Sequence, residues 1–177
     1  MSELGSTGYD IAVGTYEDAL SMVGYTTPVR FGEIPVNIAM VRYFAAMVRD
    51  ANAGYWDEDF AAREWGGCIS PPAMLMTWVI PIEWKPGGAL PMPLLTARVP
   101  LPGTTFVNAS NETEFFRPIR VGDILNVTEE LVEVSAQKRT AIGSGHFVTT
   151  CSTFRRHDGT LVARMTNVLF RFDPEAA

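Results

Sequence analysis

Histidine and cysteine are scarce. The 177 residues hold two of each: His146 and His157, Cys68 and Cys151. Neither pair forms a C-x-x-C or a mixed His/Cys cluster, so no metal is expected and a histidine-based triad has almost no material. Two isolated thiols suit a reducing cytosol better than a disulfide, and a cytoplasmic location is expected. The opening Met1-Ser-Glu-Leu-Gly-Ser-Thr-Gly8 has no basic cluster and no apolar stretch, which predicts no secretory leader. Nor does any apolar run approach the ~20 residues of a membrane span, so no membrane role is expected. Positive charge is the minority, with 14 Lys and Arg against 20 Asp and Glu and a net charge of −6. That balance argues against a nucleic-acid partner, although a local basic patch can still meet a polyanionic small ligand.

What is present is ordinary globular material, 47% apolar and 19% charged, enough for one domain with a sizeable core. Residues 1–14 are small and Gly/Ser-rich and are expected to be loose, ahead of a domain over 15–174. The pattern predicts a short helix from Tyr16 closed by Gly24. Asn37 can cap a second helix, whose Ile38, Val41, Phe44, Ala45 and Val48 fall at helical spacing. Asp57 can cap a short helical turn through Arg63 that Gly66-Gly67 stops.

Ser70, as a cap before Pro71 and Pro72, predicts a helix over 73–80 with no charge and no polar stripe. A helix that is apolar all round must be enclosed, and in a single domain a curled sheet can enclose it. Residues 80–105 hold six of the twelve prolines and predict a long irregular insertion. Strands are expected at about 112–116, 124–134, 144–156 and 160–172, with turns at Arg120–Asp123 and His157-Asp-Gly159. One buried helix followed by an antiparallel meander gives an α+β class of the hot-dog type, with five or six strands wrapped around a long apolar central helix.

The segment Arg49-Asp50-Ala51-Asn52-Ala53-Gly54-Tyr55-Trp56-Asp57 carries the functional signal. Together with Ile69-Ser-Pro-Pro-Ala-Met74, the run Glu112 to Asp123, and Gly143 to Val148 continuing through Asp158-Gly159, it resembles the MaoC-like dehydratases. The likeness is strongest to their degenerate N-terminal-type domain and spans about residues 36–172. Catalytic members of that family carry Asp-x-Asn-Pro-x-His and add water to trans-2-enoyl-CoA to give the (3R)-hydroxyacyl thioester. The resemblance places Asp50 on the aspartate, Asn52 on the asparagine, Ala53 on the proline and Tyr55 on the histidine, so two of four positions depart. It implies a partner of a catalytic hot-dog subunit with the intact motif, in a hetero-oligomer whose acyl pocket this chain helps to shape. It implies no separate cofactor, since coenzyme A arrives as part of the acyl-CoA substrate.

The chemistry of the replaced residue points the same way. Hydration of an enoyl thioester needs a group of near-neutral pKa to take a proton from water and return one to Cα. Histidine, near ~6.5, is suited; tyrosine, near ~10, is a poor base at neutral pH. Asp50 alone would need burial to raise its pKa by several units. Hot-dog enzymes polarise the thioester oxygen with amides at the start of the central helix. Pro71 and Pro72 have no N–H, so Ala73 is the first residue there able to donate.

Blander roles compete with each of these. Asp50 and Asn52 can equally cap a helix end and order a turn. Tyr55 and Trp56 suit a core or an interface, and Met74, Met76 and Trp78 suit a core that would look the same if it also walled an acyl tunnel. The residues expected at the substrate are Asn52, Ala73, Met74 and Trp78. Arg117, Arg120, Lys138, Arg139, Arg155 and Arg156 are the cations best placed for coenzyme A phosphates, against solvated surface as the alternative. Three functions remain open: a non-catalytic hydratase subunit, a self-sufficient hydratase using Asp50, and a hot-dog thioesterase. The thioesterase is disfavoured because 71–80 holds no carboxylate. A bulky acyl group, long-chain or sterol-derived, would suit the long Pro-rich insertion.

Overall fold

Local capping decides where the helices begin. In the computed structural model, which describes residues 11–82, 84–86, 88–89 and 94–174, Thr15 and Asp18 form a reciprocal capping box on α1 (Tyr16–Ser21). After a two-residue strand, β1 (Arg30–Phe31), the Asn37 side chain accepts the Met40 N–H at 3.0 Å and opens α2 (Ile38–Val48). A four-residue helix, α3 (Ala53–Trp56), leads into α4 (Glu58–Trp65), capped by Asp57 and stopped by Gly66 in the left-handed conformation. The chain then passes through two 3₁₀ turns, Pro72–Met74 and Met76–Trp78, and a two-stranded excursion of β2 (Trp84–Lys85) and β3 (Gly88–Ala89). It continues through α5 (Leu95–Arg98) and the strands β4 (Thr105–Phe115), β5 (Leu125–Val134), β6 (Lys138–Thr140), β7 (Gly143–Arg156) and β8 (Leu161–Pro174).

The strands form one antiparallel six-stranded sheet in the order β1-β5-β7-β8-β4, with β6 beside β7. This is the hot-dog arrangement. Its concave face carries two apolar clusters. Val41, Ala45, Tyr55, Met74, Leu75 and Trp78 pack against Val127, Phe154 and Ala163. Beyond them α1 and residues 95–101 pack against Leu131, Val134 and Val148. Burying a side chain such as Leu75 or Met74 contributes about 1.5–3 kcal/mol, so the central segment is held by packing. It is also tied to the sheet edge: Arg30 Nη1 donates to the Val79 carbonyl at 2.6 Å. A Cβ added at Gly32 would lie 1.9 Å from the Trp78 carbonyl oxygen, so only glycine permits that approach.

The structure corrects several expectations. Residues 71–80 are not a long α-helix. Met74 and Leu75 donate to the carbonyls of Pro71 and Pro72 at 3.0 Å, and Val79 donates to Met76 at 3.1 Å, so the spacing is mostly that of a 3₁₀ helix. Two prolines at the start remove the amides that would follow an α pattern. Nor is this segment enclosed on all sides: Met74, Leu75, Trp78 and Val79 are buried, but Met76 and Ile80 are exposed.

Ser70 is not its cap, because the residue before the first turn is Pro71 and no side-chain cap bond forms. The strand expected at 112–116 begins at Thr105. Its Asn-Ala-Ser-Asn-Glu run lies on a mostly exposed edge and so lacks apolar alternation. β1, β6 and α5 are too short to leave a period. Most of the segment expected to be loose, 1–10 of 1–14, lies outside the described residues, as do 83, 87 and 90–93 of the Pro-rich insertion.

Candidate functional site

Three side chains in succession turn the chain from α2 into α4. α2 ends on Arg49, which adopts the left-handed conformation (φ 58°), alone among the described non-glycine residues. Asp50 Oδ1 then accepts the Asn52 N–H at 3.0 Å, Asn52 Oδ1 accepts the Gly54 N–H at 2.9 Å, and Asp57 Oδ1 accepts the Phe60 N–H at 2.9 Å. The Asp50 carbonyl takes the Trp56 indole N–H at 2.8 Å. Asp50 and Asn52 therefore do serve as turn and cap residues.

These turns push Tyr55 inward. Its side chain is 3% exposed, in the same cluster as Val41 and Ala45. Burial, and second the negative charge of Asp50, push its phenol above the ordinary tyrosine range, with only the Asn52 side chain opposing. The backbone around it is fixed as well. Arg42 Nε donates to the Tyr55 carbonyl at 3.3 Å while its guanidinium pairs with Glu58 at 3.0 Å, and Ile69 donates to the Gly54 carbonyl at 3.1 Å.

Asn52 and Tyr55 face a cavity of about 300 Å³ whose other walls include Ser70, Pro72, Phe115 and Arg117. A second cavity of about 340 Å³ is lined by Ala73, Leu75, Met76, Asn111, Thr113 and Met165, and shares Pro72 and Phe115 with the first. The two are neighbours, with Pro72 and Phe115 in the walls of both. Ala73 lines the second, and its N–H meets no acceptor among the described residues.

Of the six residues singled out from sequence, the structure brings Asn52 and Tyr55 to the first cavity and Ala73 to the second. Asp50 bonds the Asn52 N–H but lines neither. Met74 and Trp78 line neither cavity: they are 3% and 1% exposed, and Trp78 Nε1 donates to Ser70 Oγ at 2.9 Å. Both side chains pack in the core around Val41, Ala45 and Phe154.

Among the cations, Arg117 is at the first cavity. Arg156 is not available to a phosphate: it is 8% exposed, pairs with Asp123 at 2.9 Å and donates to the Pro118 carbonyl at 2.6 Å. Trp65, Phe115 and Phe116 were missed, since aromatics scattered between elements give no local signal. No group of three or more His, Cys, Asp or Glu among the described residues is placed to hold a metal, and no helix among them is long and apolar enough to cross a membrane.

The profile of the FAS1-like, dehydratase domain region family matches residues 21–165. The chain belongs to that family. It is 36% identical over 156 residues to a probable enoyl-CoA hydratase alpha subunit of Thermomonospora curvata, covering 82% of this chain and 48% of the relative. It is 31% identical over 152 residues to the 3-oxo-4,17-pregnadiene-20-carboxyl-CoA hydratase alpha subunit of Mycobacterium tuberculosis, covering 82% and 47%. The chain spans about half the length of the curated relatives it matches. Among solved structures it superposes on a chain of the ChsH1-ChsH2 complex from Mycobacterium tuberculosis with a TM-score of 0.73 at 24% identity, over 91% of this chain and 92% of that one. On the MaoC-like dehydratase from Rhodospirillum rubrum the TM-score is 0.58 at 21% identity, over 88% and 94%. These two likenesses concern the fold.

Proposed function

We propose that this chain is the non-catalytic, pocket-forming half of a hydratase that adds water to a trans-2-enoyl-CoA to give the (3R)-hydroxyacyl-CoA. The observation that carries the proposal is Tyr55. The family histidine position is filled by a phenol that is buried and held in its neutral form, so it cannot take a proton from water at neutral pH. The ligand-positioning parts remain: two neighbouring cavities, and an unpartnered Ala73 amide at the second that can polarise a thioester oxygen. Arg117 at the first cavity is suited to a coenzyme A phosphate.

A sister chain with an intact Asp-x-Asn-Pro-x-His supplies the acid–base pair in this reading. The names of the two curated relatives, both alpha subunits of hydratases, support a hetero-oligomer, as does the likeness to one chain of a two-component complex. The surface is compatible with one: β4 presents an open edge along 11 residues, and Tyr43 and Met47 on α2 are 80% and 74% exposed. Self-sufficient catalysis by Asp50 finds no support in the geometry, because that carboxylate is turned to the Asn52 N–H and lines neither cavity.

The test is to assay the protein alone and with the hot-dog chain that co-purifies with it, using crotonyl-CoA and longer enoyl-CoAs. The expected result is hydration by the complex and essentially none by this chain alone. Turnover by the chain alone within tenfold of an ordinary enzyme's ~10 s⁻¹ would overturn the assignment.

A further inference from the structure

The central segment supplies Ala73, Leu75 and Met76 to the second cavity, yet it is poorly braced by its own hydrogen bonds. Met74 and Leu75 close the first turn at 3.0 Å, and Val79 and Ile80 both donate to the Met76 carbonyl, at 3.1 and 3.0 Å, to close the second. The bond that joins the two turns, from the Trp78 N–H to the Leu75 carbonyl, is 3.4 Å long. A continuous α-helix would carry a firm bond at each residue here. The position of this wall is therefore decided by what holds the two ends of the segment.

The front end is held by the Ser70 N–H, which donates to the Ile119 carbonyl at 2.7 Å. The back end is held from the sheet edge by β1. Arg30 Nη1 donates to the Val79 carbonyl at 2.6 Å, and among the described residues no backbone N–H donates to that oxygen. Gly32 lets the same edge close on the Trp78 carbonyl. Arg30 is half-buried, and burial pulls its pKa below the ordinary arginine range while the negative charge of Glu129 opposes the shift. A partly desolvated guanidinium is a costly way to cover a sheet edge, and an apolar side chain would cover it more cheaply. What an apolar side chain cannot supply is a charged donor, whose bond to a carbonyl is about twice as strong as a neutral one.

We infer that Arg30 is a positioning residue of the second cavity, holding Val79 so that the turn behind it sets Met76 in the cavity wall. The connection is short: Arg30 binds the Val79 carbonyl, the Val79 N–H binds the Met76 carbonyl, and Met76 lines the cavity. Arg30 itself lines neither cavity, so it acts only through the segment. The inference rests on the acyl-CoA reading above and adds to it the residue that governs the fit of the acyl group. The first cavity, walled by Ser70, Ile119 and Arg117, is held from the front end and is independent of this anchor.

The experiment measures the affinity of trans-2-dodecenoyl-CoA and of free coenzyme A by isothermal titration, on the protein together with any chain that co-purifies, well below each melting temperature. Arg30→Met keeps the stem and removes the donor; Arg30→Lys keeps a charged donor. Arg30→Met should weaken the acyl-CoA about three- to tenfold, the range a single lost hydrogen bond produces, and free coenzyme A by less than about twofold. Arg30→Lys should bind the acyl-CoA within about twofold of the unmodified protein. Met76→Ala trims the wall that Arg30 positions, so adding Arg30→Met to it should cost less than about twofold more. An acyl-CoA affinity unchanged by Arg30→Met overturns the inference and leaves the acyl-CoA reading intact, because the arginine then only satisfies a carbonyl at the end of a turn. Equal losses for both ligands, full additivity with Met76→Ala, or a lysine variant as weak as the methionine one also overturn it. Should Arg30→Met fail to fold, Arg30→Gln, whose amide falls short of the Val79 carbonyl, carries the same comparison; if both fail, Arg30 is a folding residue and the inference is overturned. If the unmodified protein binds neither ligand, the acyl-CoA reading fails and the inference fails with it.

Discussion

Replacing Trp78 separates a packing residue from a ligand-binding one. Its indole is 1% exposed, and Nε1 donates to Ser70 Oγ at 2.9 Å, while the Ser70 hydroxyl makes only a 3.3 Å approach to the Pro71 carbonyl. Trp78→Ala removes a large buried side chain at about 3–5 kcal/mol and leaves the buried Ser70 hydroxyl short of a donor at about 1 kcal/mol more. The total of about 4–6 kcal/mol is comparable with the 5–15 kcal/mol that holds a typical domain together. At about 2–4 °C per kcal/mol for a domain of this size, the melting temperature should fall by about 8–24 °C. Trp78→Phe keeps most of the volume and should cost about 1–2 kcal/mol, isolating the hydrogen bond. Urea unfolding of the three proteins measures both quantities. The reasoning is refuted if Trp78→Ala costs less than about 2 kcal/mol while acyl-CoA affinity drops tenfold, a result that would make Trp78 a wall of the ligand site.

Arg171 is 2% exposed, with Nε donating to the Gly103 carbonyl at 2.5 Å and Nη2 to the Ala12 carbonyl at 2.6 Å. Arg171→Met should cost about 2–4 kcal/mol net of the desolvation it relieves, and should speed hydrogen exchange at the Ala12 amide; unchanged exchange would contradict the pinning role. For Glu129 the sign follows from its raised pKa. The folded form holds the proton more tightly than the unfolded form, so stability falls as pH rises from the ordinary value of 4.5 through the raised one. The stability advantage of Glu129→Gln should therefore grow between about pH 4 and pH 8, and an advantage that is flat or grows toward acid would contradict the burial argument.

Much of the frame was legible because it is written in local chemistry. Asn37 and Asp57 sit at helix starts where a short oxygen-bearing side chain satisfies first-turn amides. The long strands β5, β7 and β8 carry enough alternation to be read. Residues 71–80 illustrate the limit. Their uniform apolarity marks a core segment, but two prolines and neighbouring packing decide between one α-helix and two 3₁₀ turns. The site was half legible: Asp50, Asn52 and Tyr55 lie together in sequence, whereas Phe115 and Arg117 reach the cavity only through the pairing of β4 with β8. Arg171 gave no hint of its role, since an arginine in a strand looks solvent-facing until the backbone carbonyls of residues 12 and 99–103 close over it.

The central claim is that Tyr55 takes no part in proton transfer. Its most direct test is the hydration rate of the assembled complex carrying Tyr55→Phe here, beside a complex in which the sister chain's motif histidine is replaced by alanine. The account predicts kcat/KM for Tyr55→Phe within about threefold of the unmodified complex, less than 1 kcal/mol of barrier, and near-complete loss for the histidine variant. A thousandfold loss from Tyr55→Phe in a complex that remains assembled, about 4 kcal/mol of barrier, would place the chemistry in this chain and contradict the account.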